Sequence, residues 1–169
     1  MMRFNMPFDF NRKNRNEVSA LSKLMNIRLR EVLREEKSGV YGVSFSANPK
    51  HYPKQSLDLI IYFSCAPSNA EMLTNAALEV INEVKQKGGD EKNLIKIRET
   101  AIRERETALK ENQFWMGTIN SNDQNKEDIM EILQYNDWVK NLTTDDLKSF
   151  AGRYLNTSNY SRFVLMPEK

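Results

Sequence analysis

The chain opens on a strict alternation. Met2, Phe4, Met6 and Phe8 fall on one side and Arg3, Asn5 and Pro7 on the other, the period of a half-buried β-strand. The apolar spacing then lengthens to three or four residues at Val18, Leu21, Met25, Leu29 and Val32, which predicts an amphipathic helix, capped by Asn14 or Asn16 and stopped near Gly39. Beyond Gly39 the period returns to two. Tyr41, Val43, Phe45 and Ala47 form one strand face, and Leu57, Leu59, Ile61, Phe63 and Cys65 form the next, across a polar segment (NPKHYPKQS) with two prolines. This predicts a long-looped antiparallel hairpin.

Helical spacing resumes at Met72, Leu73, Ala76, Ala77, Val80, Ile81 and Val84 behind a Ser68–Glu71 capping box and halts at Gly88 and Gly89. From Asp90 to about Asn112 only Leu94, Ile97, Ala101 and Ala108 make a thin apolar face. That is the pattern of an exposed surface helix, with Arg98, Arg103 and Arg105 paired to neighbouring acids. Phe114, Trp115 and Ile119 suggest one short helix, and Ile129, Ile132 and Leu133 another. Thr143 and Asp146 form a second capping box, ahead of Leu147, Phe150, Ala151 and Tyr154, and Arg162 to Pro167 read as a closing strand. The order is strand, helix, hairpin, several helices, strand. It predicts an α+β fold, an antiparallel sheet with helices packed on it, in a single domain over residues 1–169.

Charge and composition narrow the function. Lys and Arg number 25 against 23 Asp and Glu, too balanced to draw in nucleic acid or an anionic membrane. No apolar run approaches the roughly 20 residues of a membrane span, and the N-terminal segment lacks a signal-peptide layout. One cysteine, Cys65, excludes an intramolecular disulfide, and one histidine, His51, excludes any motif that needs two, including H-x-x-E-H. The chain alone is therefore expected to bind no catalytic zinc and to cleave no peptide.

The best local candidate for chemistry is the joint LREEKSGVYGV, Leu33 to Val43. Arg34 in the last helical turns and Tyr41 at the start of the strand could project into one cleft and hold a carbonyl oxygen that gains negative charge. The plainer alternative pairs Arg34 with a surface acid and packs Tyr41 in the core. His51 reads as a solvated loop histidine, and Cys65 as a small buried hydrophobe rather than a nucleophile. Asn112 and Trp115 could line a groove, but core packing is the expectation for both. Glu35 and Glu36 point about 100° apart on a helix, so they read as solvated surface rather than a general base.

The stretch NIRLREVLREEKSGVYGVS resembles the C-terminal domains of pitrilysin and insulinase-type zinc metallopeptidases, where a helix ending in Leu-Arg leads through a Gly to a Tyr and a strand. IIYFSCAP, ALEVINEV, KENQFWMGTI, LTTDDLKSFAGRYL and RFVLMPEK follow in the family's order, so the likeness covers nearly the whole chain from Phe8. The resemblance implies a LuxS/processing-peptidase-like sandwich, repeated as paired domains that enclose a proteolytic chamber. Zinc and H-x-x-E-H sit on one half, and the other half contributes an Arg and, seven residues later, a Tyr that contact substrate. Arg34 and Tyr41 match that spacing.

On this resemblance the chain is an inactive half-domain, N-terminally truncated, of a larger zinc peptidase. Its expected partners are a peptide substrate and a catalytic sister domain that carries the zinc. The compartment is not fixed by the chain; the bacterial periplasm or cell envelope is the expectation for the parent. A structural or assembly domain of the same fold is the other reading. The fragment is expected to self-associate, through pairing of the first strand, read as an exposed edge, or through the surface that would meet the sister domain.

Overall fold

The computed structural model describes residues 1–166. Its sheet has four antiparallel strands in the order β2-β3-β1-β4: β1 (Met2–Pro7), β2 (Gly42–Lys50), β3 (Ser56–Ser64) and β4 (Tyr160–Arg162). The alternation read from the sequence holds. Met2, Phe4, Phe45, Leu57, Leu59 and Ile61 are buried on one face, while Arg3, Asn5, Ser44, Ser46 and Tyr62 are exposed on the other. The buried face carries the core, against which α1 (Arg12–Leu29), α2 (Ala70–Lys87) and α6 (Thr144–Tyr154) pack. Next come α3 (Glu91–Ala108), which lies along α1, then α4 (Asn112–Asn125) and α5 (Tyr135–Asn141).

Several local expectations shift. Asn11, in an extended conformation, caps α1 by accepting the Asn14 N–H at 2.8 Å, so the helix starts before Asn14 and Asn16. The Thr143–Asp146 capping box forms in full. The Ser68–Glu71 box does not, because Pro67–Asn69 make a separate 3₁₀ turn and α2 begins at Ala70 without a side-chain cap. The hairpin loop is shorter than expected, since Asn48, Pro49 and Lys50 all belong to β2. The closing strand lies earlier, at Tyr160–Arg162. Its pairing ends in a reciprocal exchange at 2.8 Å between the backbones of Met1 and Phe163, and Pro167 falls outside the described residues.

The arginines of α3 correct the expectation of solvated salt pairs. Arg98 donates from Nε to the Leu142 carbonyl at 3.0 Å, and Arg105 donates to the Ile132 carbonyl at 2.9 Å with its guanidinium over the rings of Phe114 and Tyr135. These two side chains pin the later helices to α3. Local charge alternation could not show this, because the accepting carbonyls lie 44 and 27 residues away. His51 is likewise not a solvated loop residue. Its ring stacks on Phe10 at 4.9 Å and on Tyr52 at 4.2 Å, and Nδ1 pairs with Asn125 Oδ1 at the end of α4. Cys65 is half-buried against the core as a free thiol.

β1 is not an edge; it pairs with β3 on one side and β4 on the other. The long edge is β2, and α1 blunts it. Asn26 of α1 accepts the Phe45 N–H at 2.9 Å and donates to the Phe45 carbonyl at 2.7 Å, imitating a neighbouring strand. Pro49, four residues on and of the same parity, offers no N–H to a newcomer. A covering helix and a proline on the edge are both ways of guarding a strand edge, and β4 shields Met2–Phe4 of β1 from a newcomer.

On the exposed face Asp58 is 3% exposed, covered by Arg3 (2.9 Å), Lys50 (2.8 Å) and Asn5 (2.7 Å). Burial alone would push its carboxyl up. The hydrogen bonds from Arg3, Lys50 and Asn5 and the Arg3 charge outweigh burial and hold it well below the usual carboxylate range. A depressed folded-state pKa contributes stability that is present above the unfolded value and lost as the pH falls beneath it. The stability advantage of the wild-type protein over Asp58→Asn is therefore expected to be full at neutral pH and to narrow as pH drops from about 4 toward 2. Thermal unfolding across that range checks it, and an unchanging gap would contradict it.

Candidate functional site

α1 does not end in an ordinary last turn. Beyond Leu29 the chain widens into a π-helical turn, Arg30–Glu36, closed by Lys37 N–H on Val32 O at 3.1 Å. Gly39 N–H reaches back to Leu33 O at 3.2 Å. Such widened turns are rare in helices and concentrate at functional sites. Ser38 then takes a left-handed φ of 47°, a conformation uncommon for a residue with a side chain. Gly39 follows, pressed against α2 so closely that a β-carbon there would stand 2.8 Å from Leu73 Cδ2. The joint is thus clamped between Leu33 and Leu73, both fully buried.

The clamp leaves the two candidate side chains outside. Arg34 is exposed beside buried Leu33. Glu31, the acid one turn earlier, is already held by Arg28 at 2.6 Å and Lys96 at 3.8 Å. Among the described residues no carboxylate pairs with Arg34. Glu35 and Glu36 are exposed, as expected. Tyr41 stands one residue before β2 and is 89% exposed, while its backbone N–H donates to Ser64 O at 3.4 Å. Among the described residues neither half of the plainer alternative is seen: no carboxylate pairs with Arg34, and Tyr41 is not in the core. Within that range each keeps its side-chain donors free, a guanidinium with five N–H groups and a phenol with one O–H.

Ser64, whose carbonyl accepts the Tyr41 backbone N–H, also lines an apolar groove of about 770 Å³, together with Phe63, Cys65, Thr74 and Phe163 to Met166. Arg34 and Tyr41 do not line it. Asn112 and Trp115, expected in the core, are exposed, and the Trp115 indole N–H donates to Leu109 O at 2.9 Å.

The family model described as the peptidase M16 inactive domain matches residues 16–101, half of the chain and the part that contains the joint. The chain belongs to the peptidase M16 inactive-domain family. A zinc protease PQQL-like protein of Arabidopsis thaliana is 26% identical over 107 residues, which cover 60% of this chain and 11% of that protein. The periplasmic protease PqqL from Escherichia coli superposes with a TM-score of 0.76 at 22% identity over 91% of this chain and 17% of its own. A peptidase M16 inactive domain from Pseudomonas fluorescens gives 0.80 at 15% identity over 94% and 39%. This M16 domain therefore spans a minor part of the length of these relatives, and the two structural likenesses establish its α+β fold.

Among the described residues of this M16 domain no three His, Cys, Asp or Glu side chains gather into a ligand set, and His51 is committed to its stack and to Asn125. Nor is any helix among them long and apolar enough to cross a membrane.

Of the features that shape the joint, the π turn left no mark in the apolar spacing, and Gly39 showed only as a helix stop. Gly39→Ala forces a methyl group onto buried Leu73 and should destabilise the domain by about 1–3 kcal/mol, as overpacking does. Gly42→Ala, where a β-carbon meets nothing within 4 Å, should change stability far less. Chemical denaturation of both variants checks the contrast, and equal effects would contradict it.

Proposed function

We propose that this domain is the substrate-binding, non-catalytic partner in a pitrilysin-like zinc metalloendopeptidase. In this reading the catalytic zinc and its ligands belong to a sister domain, and Arg34 and Tyr41 face it across the substrate. The observation that carries it is the joint itself: a clamped backbone presents a guanidinium and a phenol that the fold does not use. Family membership supplies the setting, because an inactive peptidase domain is meaningful beside an active one.

The two donors suit a peptide carbonyl. Hydrogen bonds from a cation and a phenol strengthen as the carbonyl oxygen takes on negative charge, so they favour the tetrahedral state over the bound substrate. The apolar groove lined by Ser64, the residue whose carbonyl accepts the Tyr41 backbone N–H, gives a substrate side chain somewhere to lie. One relative, PqqL of Escherichia coli, is a periplasmic protease, which supports placing the parent protein in a bacterial periplasm or cell envelope.

In the parent protease Arg34→Ala and Tyr41→Phe should each lower kcat/KM for a peptide substrate by roughly two to three orders of magnitude, the scale of removing a transition-state donor. Stability should stay within about 0.5 kcal/mol, as for exposed side chains free of structural contacts. Peptide-cleavage kinetics beside thermal unfolding decide the matter. Full activity in both variants would leave the scaffold reading, a structural or assembly domain of the same fold.

A further inference from the structure

A second set of unused donors lies away from the joint. A cavity of about 360 Å³ opens between the first turn of α1, the last turn of α3, α4 and the 3₁₀ turn Ile129–Gln134. Arg12, Arg15, Arg105 and Asn122 line it, with Glu131 as its acid. Glu127 sits behind the cavity wall, paired with Arg15 at 2.6 Å and Arg12 at 3.6 Å, and Arg12 approaches Glu131 at 3.4 Å. Two carboxylates thus answer two of the three guanidinium charges. The third, Arg105, has no carboxylate within 4 Å among the described residues; its contacts are the Ile132 carbonyl and the rings of Phe114 and Tyr135 at 4.6 and 5.0 Å. With one N–H on Ile132 O, four of its five donors stay unanswered. Burial, with the nearby Arg12 charge, makes the protonated form of Arg105 harder to hold than usual.

Asn122 supplies the independent observation. It is 5% exposed, and its Nδ2 is buried without any hydrogen-bond partner. The orientation of the amide is fixed chemically: Arg12 donates to it, and a guanidinium cannot accept, so the atom facing Arg12 is the oxygen and the orphan is the donor. A buried amide N–H₂ without an acceptor is costly and rare in native proteins. The two deficits, a guanidinium without a carboxylate and an orphan amide donor, belong to residues that line one cavity, and both call for the same thing: negatively charged oxygen.

We propose that this cavity is a binding site for the oxyanion of a small ligand, a carboxylate or a phosphate. The guanidinium of Arg105 is covered on its faces by aromatic rings and meets the anion edge-on, the approach a carboxylate or phosphate oxygen pair uses. Arg12 contributes charge, and the amide of Asn122, set in the cavity wall, lies close enough to report the anion's arrival.

The test is a ¹⁵N NMR titration of the 169-residue protein, following the side-chain amide signal of Asn122. That signal is assigned by its loss in Asn122→Asp. Succinate and inorganic phosphate are added separately at an ionic strength held constant with sodium chloride. A saturating shift of the Asn122 signal is expected with at least one of them, and the anion that saturates at the lower concentration identifies the carboxylate or the phosphate source. Arg105→Gln should weaken that binding by about tenfold or more, the worth of one charge-assisted hydrogen bond.

Asn122→Asp keeps an acceptor toward Arg12 and supplies the missing negative charge from the protein itself. It should therefore fold at least as stably as the wild type, and backbone signals around the cavity should no longer respond to the anion. This second variant reads out the site even where Arg105→Gln fails to fold. Absence of a saturating shift with both anions, or an undiminished response in Asn122→Asp, would overturn the proposal.

Discussion

The contact between Gly39 and Leu73 is the constraint on which the joint depends. With a β-carbon position only 2.8 Å from a leucine methyl that is itself fully buried, the backbone between α1 and β2 has one place to run. The π turn before it and the left-handed Ser38 are how the chain reaches that place while keeping Leu33 in the core. Once Leu33 and Val40 are seated inside, the residues next to them, Arg34 and Tyr41, have nowhere to go but outward. Packing in the core thus determines which polar groups are offered at the surface, although it makes no direct contact with them. The clamp fixes where these two side chains leave the backbone, so a ligand that met them would have only their rotamers left to order.

The same economy of partners appears across the domain. Among the described residues the two buried carboxylates are answered: Asp58 by Arg3, Lys50 and Asn5, and Glu17 by the Tyr154 hydroxyl and Arg153 at 2.8 Å each. Burial and the hydrogen bond to Glu17 push the Tyr154 hydroxyl well above its ordinary range, so it remains a donor at any physiological pH. Against that background Arg34 and Arg105, which meet no carboxylate among the described residues, and the orphan amide donor of Asn122 stand out. Polar groups the fold leaves unanswered are the ones available to something else.

How far the sequence could be read follows from the range of the interactions. Features set by neighbours a few residues apart were legible: the alternation of β1, the thin face Leu94–Ile97–Ala101 of α3, the Thr143–Asp146 box, and the stop at Gly88, whose φ of 71° suits a glycine. Features set by distant partners were not. Arg98 and Arg105 looked like members of surface ion pairs because their acids are close in sequence, whereas their carbonyl acceptors become close only on folding. The surroundings of His51 and the edge reading of the first strand depend on distant partners in the same way, since Asn125 and β4 reach them only through tertiary structure. At the joint, Arg34 and Tyr41 were legible as residue types at a spacing, but the π turn that displays them has the apolar spacing of any helix end.

The central claim is that Arg34 and Tyr41 are held ready for a substrate oxygen and serve no structural end. It is tested most directly by a crystal structure of the parent protease with a tetrahedral, transition-state-like peptide inhibitor in its active site. The account predicts an inhibitor oxygen within about 3 Å of both the Tyr41 hydroxyl and the Arg34 guanidinium, with the backbone of residues 30–42 unchanged. An inhibitor bound at the active site while both side chains remain in solvent would contradict it.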